Sequence, residues 1–250
     1  MMKAGNAREP VRDISPTVEA VPDPSPAPRP ERRVHEGRYT LVEPLEPAAH
    51  SVDLVAAGHG DEARRRIWDY LPYGPFATEA EFRAHLAAQA GSEDPLFFVI
   101  RPRGSNRAEG IASLMSIEPE HRSIEVGHIW RGPELQRTRA ATEALYLLIA
   151  HAIDDLGYRR MEWKCNAANA SSRAAACRLG FVHEGVFYQH RIVKGQNRDT
   201  AWFSILDHEW PALRDNFETW LDPANFDTDG RQRQSLGYLN RAATEARLGD

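Results

Sequence analysis

Between Ser123 and Cys165 the hydrophobic period changes twice, and this change constrains the fold more than any other feature of the chain. From Ser123 to Trp130 the residues alternate, with Ile124, Val126 and His128 on one face and Glu125, Gly127 and Ile129 on the other. From Ala141 onward, Leu145, Leu148, Ile149, Ala152, Ile153 and Leu156 follow the stripe of an amphipathic helix, and Gly157 ends it. Met161, Trp163 and Cys165 then alternate with Glu162 and Lys164. Strand, helix and strand in this order form a crossover, so the two strands are expected to lie parallel and side by side.

The helix is entered through a polar turn, Glu134-Leu135-Gln136-Arg137-Thr138-Arg139-Ala140-Ala141. Free backbone N–H groups and the positive end of the helix dipole meet there, which suits a phosphate group. Arg131, Arg137 and Arg139 add a cationic rim. The stretch predicts a site for a phosphate-bearing cofactor.

The flanking segments fill out a mixed fold. Strands are expected at Arg38 to Val42, Leu96 to Ile100 and Gly110 to Ile117, the last two as a hairpin that continues into Ser123 to Trp130. Helices are expected at Ala48 to Ala57 and Asp61 to Tyr70, and Thr78 with Glu81 forms a capping box for a third. Between them lies a loop with Trp68, Tyr70, Tyr73 and Phe76 among prolines and a glycine. It either packs on the core or walls a substrate cleft, as irregular loops on a rigid scaffold commonly do. Beyond the crossover come the loop Asn166 to Asn169, a helix from Ser172 to Leu179 and Gly180 at its C-terminal cap. Strands Phe181 to Val193 and Asp199 to Leu206, a helix Glu209 to Leu221 and a last helix from Leu239 to Leu248 complete the chain.

Residues 1–36 are proline-rich and poor in apolar residues, and are expected to form an extended, disordered tail. Residues 37–210 form the expected domain, and 211–250 a helical extension and tail. A net charge of −5 argues against nucleic acid as the partner. No apolar run is long enough to span a membrane, and Met1 to Asp13 holds no apolar signal core. Cys165 and Cys177 lack metal spacing and read as free thiols of a reducing, cytoplasmic compartment.

In register, four segments resemble the GNAT acetyltransferase superfamily, and within it the RimJ/RimL-type N-acetyltransferases. They are Gln136 to Ala144, Arg160-Met161-Glu162 to Asn169, Leu179-Gly180-Phe181-Val182-His183-Glu184-Gly185, and Asp199-Thr200. The resemblance covers roughly Arg38 to Trp210. It implies a three-layer α/β (α+β) fold, with a mixed, mostly antiparallel twisted sheet of six to seven strands and helices on both faces. It implies acetyl-CoA as co-substrate, no metal, and an amine acceptor that is either a protein N-terminal α-amine or a small molecule. A homodimer is left open. A non-catalytic acyl-CoA-binding module is the alternative.

The resemblance also assigns site residues. Trp130, Gln136, Arg137, Thr138, Arg139, Ala140, Ala141 and Thr142 stand where the family holds the cofactor, with Asn169 and Ser172 beside its thiol. Arg139 occupies a position where the family has glycine, and Ala176 one where many members have a tyrosine acid. Ser172 is the nearest substitute for that acid. Glu125 is the candidate general base, with His128, Glu162 and Tyr188 as alternatives. Trp68, Tyr70, Tyr73 and Phe76 are the expected substrate wall.

Overall fold

The computed structural model describes residues 20–241. Its centre is one eight-stranded sheet, ordered β1-β2-β3-β4-β5-β6-β8-β7. The strands are β1 His35–Glu36, β2 Thr40–Pro44, β3 Leu96–Pro102, β4 Gly110–Glu118, β5 Ser123–Arg131, β6 Arg160–Asn166, β7 Val182–Val193 and β8 Gln196–Leu206. All neighbours are antiparallel except β5 and β6. The expected six to seven strands become eight because His35–Glu36 adds a short edge strand to β2. β7 and β8 are joined through Lys194 and Gly195, both at positive φ, the geometry that matches the twist of a two-residue hairpin.

Helices α1 (Pro47–Gly58), α2 (Glu62–Arg65) and α3 (Glu79–Ala90) cover one face. Their core gathers Leu54, Phe82 and Leu86 against Phe97, Val99 and Ile111 of the sheet. α2 is a single turn continued by a 3-10 turn at Arg66–Trp68, shorter than the helix expected to Tyr70. On the opposite face lie α4 (Arg139–Ala150), α5 (Ala170–Arg178) and α6 (Trp210–Leu221). The α4 stripe buries Leu145, Leu148 and Ile149, then passes into a π-helical turn over His151–Asp155 that buries Ala152 and Ile153. α6 adds Trp210, Leu213, Phe217 and Trp220 to the same core, so the expected boundary at 210 is bridged by shared packing. The chain is helical over 236–241, and the rest of the expected last helix lies outside the described residues.

The proline-rich segment is held from its described beginning, not loose as expected. Ala27 is buried and its amide donates to Pro119 O at 3.1 Å. Arg122 binds Asp23 and Ser25, and His35 packs its ring 4.6 Å from that of His151. Apolar contact at a few small residues and side-chain hydrogen bonds anchor a segment whose composition alone offers little to bury. Residues 1–19 of that expected tail lie outside the described residues.

Glu143 fastens β2 to α4. Its carboxylate accepts from the amides of Arg38, Tyr39 and Thr40 at 2.8, 2.6 and 2.9 Å. Gly180, at φ +94°, ends α5 where a Cβ would meet Leu213 Cδ2 of α6 at 2.4 Å. Gly180→Ala therefore combines a left-handed backbone with overpacking and is expected to cost about 2–4 kcal/mol in urea unfolding. A loss under about 0.5 kcal/mol would show that α6 yields freely.

Candidate functional site

β5 and β6 share only three register pairs, Ser123↔Arg160, Ile124↔Met161 and Glu125↔Glu162. Beyond these the parallel ladder stops although both strands continue. A cleft of about 1710 Å³ opens between them, lined by Val126, Gly127, His128 and Ile129 on one side and Trp163, Lys164, Cys165 and Asn166 on the other. Backbone on the open edge of β5 is thereby left facing the cleft rather than a neighbouring strand.

The register of β5 corrects the expected faces. Against β4, Trp130 pairs Ile111 and Gly127 pairs Ser113, so β5 carries one residue more across this interval. His128 has φ +49°, the mark of a β-bulge. His128 leaves the face of Ile124 and Val126 and stacks on Tyr73, whose hydroxyl lies 3.1 Å from its Nδ1. Burial lowers the His128 pKa to about 4, so it is neutral at physiological pH. The bulge also turns Trp130 into the aromatic core, with its ring 5.2 Å from Trp68.

At the crotch where the strands part, three charges interlock. Lys164 Nζ lies 3.0 Å from Glu125 Oε2 and 2.6 Å from Glu162 Oε2. Ser116 also donates to Glu125, and Arg160 bridges Glu162 to Glu184. Burial raises the Glu125 pKa, against the pull of Lys164. The two carboxylates raise the Lys164 pKa although burial opposes them.

At the other end of the cleft is the N-terminus of α4. Thr138 caps it, its Oγ1 accepting from the Ala141 amide at 3.1 Å. Among the described residues, the amides of Arg137, Arg139 and Ala140 have no protein acceptor. Arg139 lies within the helix, and the residue at positive φ is Arg137. The arginine at the family's glycine position therefore needs no left-handed backbone. Its guanidinium is sandwiched between the Tyr39 and Phe226 rings, at 4.7 and 4.5 Å. Gln136 donates to Arg131 O at 3.0 Å and is occupied by the turn itself.

Arg131 and Arg178 also line this end, and sequence reasoning missed Arg178. It donates to Thr142 Oγ1 and stacks on Trp220. Among the described residues neither arginine has a carboxylate within salt-bridge distance. Burial lowers the pKa of each, and Arg131 further lowers that of Arg178. Two arginines held close without a salt bridge among the described residues, beside free amides at a helix N-terminus, are the donors and charge that a polyanion would need.

Asn169 caps α5, accepting from Ser172 N at 3.1 Å, and both residues face the cleft. Ser172 Oγ accepts from Trp163 Nε1 at 3.0 Å, which leaves the hydroxyl hydrogen to donate. Ala176 is fully buried in the core, so this position cannot present an acid to the cleft. Of the expected substrate wall, Tyr70 lines the cleft. Trp68, Tyr73 and Phe76 instead pack with Phe82 and His85 under the loop. Lys164, Arg198 and Trp202 face the cleft, and only the alternation of β6 hinted at the first.

A mixed sheet that parts beside a cationic helix N-terminus defines an α/β protein with a long open cleft between its parallel strands. The model of the acetyltransferase (GNAT) domain matches residues 40–182. The chain belongs to this family, whose members use acetyl-CoA. A GCN5-related N-acetyltransferase from Brucella melitensis is 46% identical over 87% of this chain and 98% of its own, with a TM-score of 0.85. The ribosomal-protein-serine acetyltransferase of Escherichia coli K12 is 34% identical over 101 residues, 40% of this chain. That match spans about half the length of the curated relative, 56%. An acetyltransferase of the GNAT family from Bacillus anthracis, at 19% identity and TM-score 0.60, shares the fold. Among the described residues no helix is long and apolar enough to cross a membrane.

The crotch makes a signed prediction. Lys164→Met leaves Glu125 buried without its cation and raises its folded pKa further above the unfolded value. Such a group stabilises the fold below the unfolded pKa and loses that contribution as pH rises through the folded pKa. The variant is expected to lose about 3 kcal/mol at pH 8 and clearly less at pH 5, measured by urea unfolding. An equal loss at both pH values would show that the Glu125 charge is not what Lys164 supports.

Proposed function

We propose that the chain transfers the acetyl group of acetyl-CoA to a primary amine by direct attack, in the cytoplasm. The observation that carries this is the continuous cleft from the Arg131–Arg178 pair and the α4 N-terminus to the charged crotch at Glu125. Arg131, Arg137, Arg178 and the amides of Arg139 and Ala140 would hold the phosphates, with Thr138, Ala141 and Thr142 shaping the turn. Arg139 braces Tyr39 and Phe226 around it. Asn169 and Ser172 line the path toward the thiol end.

When bound, acetyl-CoA supplies an activated thioester. The chain's own residues would do three things. Glu125, whose pKa burial raises against the pull of Lys164, takes a proton from the acceptor ammonium, directly or through water. Backbone amides on the open edge of β5 are the donors available to a developing oxyanion. The Ser172 hydroxyl donates to the departing sulfur. The acceptor is read as the α-amine of a protein N-terminus, in line with the serine acetylation that names the Escherichia coli relative.

Calorimetry with acetyl-CoA tests the receptor. Arg178→Ala is expected to weaken binding about tenfold, and the distant Arg83→Ala to leave it unchanged. No binding by the unaltered protein would remove the cofactor. Glu125→Gln should lower kcat on a peptide acceptor by about 100-fold or more and abolish the acid limb of the pH–rate profile. Binding without turnover on any amine would favour the acyl-CoA-binding module.

A further inference from the structure

The β7–β8 hairpin contributes to the wall of the cleft and carries two arginines. Arg191 and Arg198 are register partners, directly across from each other, and both line the cleft. Like charges at directly opposed positions of an antiparallel pair repel. Burial lowers the Arg198 pKa, Cys165 and Glu125 pull it partly back up, and Arg191 adds to the lowering. The Arg198 Nε is buried and has no hydrogen-bond partner.

The carboxylates around this pair are committed elsewhere. Glu125 is held by Lys164 and Ser116. Asp199, next in sequence, accepts from the Gln189 amide at 2.7 Å and from Asn197 Nδ2 at 3.0 Å. Asp69 of the facing loop acts on Lys194, whose ammonium donates to Trp68 O. Among the described residues neither Arg191 nor Arg198 has a salt bridge. A desolvated guanidinium nitrogen without a partner is costly, and Arg198 carries one at the cleft wall, with the exposed Arg191 opposite it. They share the cleft wall with Tyr70, Glu125, His190 and Trp202.

We infer that Arg198, with Arg191 opposite, recognises a carboxylate on the acceptor. Resting on the acetyltransferase reading, this narrows the substrate to an amine that carries an anion nearby. The shared chemistry has two sources, an acidic residue close to a peptide N-terminus or the carboxylate of a free amino acid. A planar guanidinium fork suits either. The net charge of −5 repels anions over the molecule as a whole, so a preference for them must arise locally.

The test uses matched pairs bound to the protein loaded with CoA and read by calorimetry at physiological salt. One arm compares peptides with glutamate at the second and third positions with the same peptides carrying glutamine. The other compares free amino acids with their amides, and the arm that discriminates identifies the source. In at least one arm the acidic member is expected to bind about tenfold more tightly. Arg198→Gln should narrow that ratio to within about twofold. The ratio is internal to each variant, and circular dichroism together with acetyl-CoA affinity reports folding. Equal affinities within both arms, no binding of any acidic probe, or a ratio that survives in Arg198→Gln would overturn carboxylate recognition. Loss of acetyl-CoA binding by the unaltered protein would instead count against the transferase reading.

Discussion

Everything about the cleft depends on two parallel strands that pair for three residues and then part. A ladder that continued to Arg131 and Asn166 would satisfy both edges and leave no room for a ligand. Lys164 holds the strands at the point of parting by neutralising a carboxylate from each, Glu125 of β5 and Glu162 of β6. Further along, the bulge at His128 shifts the phase of β5, so that Trp130 enters the aromatic core and anchors the far end of the strand. α4 begins just beyond β5, and its positive terminus consequently points at the mouth of the opening.

Charge is distributed along this cleft in three ways. At the α4 end, Arg131 and Arg178 are close together and, among the described residues, have no carboxylate within salt-bridge distance. At the crotch, charges of opposite sign are paired. At the hairpin end, Arg191 and Arg198 again have no salt bridge among the described residues. Buried charges that neutralise each other add little net stability, whereas unmatched ones cost free energy in the empty protein. The alternation matches an extended ligand with anions toward one end and a second, anion-bearing molecule entering from the other. Segments from either side of the sheet's central strands in sequence contribute to the same frame. Tyr39 on the N-terminal side and Phe226 on the C-terminal side enclose Arg139, and Trp220 carries Arg178.

Elements with a strong period are legible in the amino-acid sequence alone. The stripe from Leu145 to Ile153, the alternation from Met161 to Cys165 and the cap at Thr78 all follow from local physics, because a helix or strand must turn its apolar face to the core and a helix start must satisfy its free amides. Three site features are not legible there. The face of His128 depends on a single inserted residue, and period-2 reasoning cannot detect a bulge. The aromatic loop reads equally as core packing or as a substrate wall, and Trp68, Tyr73 and Phe76 pack on the core, because aromatic composition is the same in either role. Arg178 and Arg198 stand in segments where an arginine on a solvated face would look identical.

The sequence by itself determined the crossover, the donor-rich turn that opens α4, and the family that these imply, since all three rest on contacts within a few tens of residues. Only the tertiary structure decided that Arg139 needs no glycine-like backbone, that Ala176 faces the core, and that Glu125 is held by Lys164. It also decided that Arg191 and Arg198 stand opposed and, among the described residues, without a salt bridge. These are properties of register and packing, and burial and pairing, not residue identity, set the free energy of a charge.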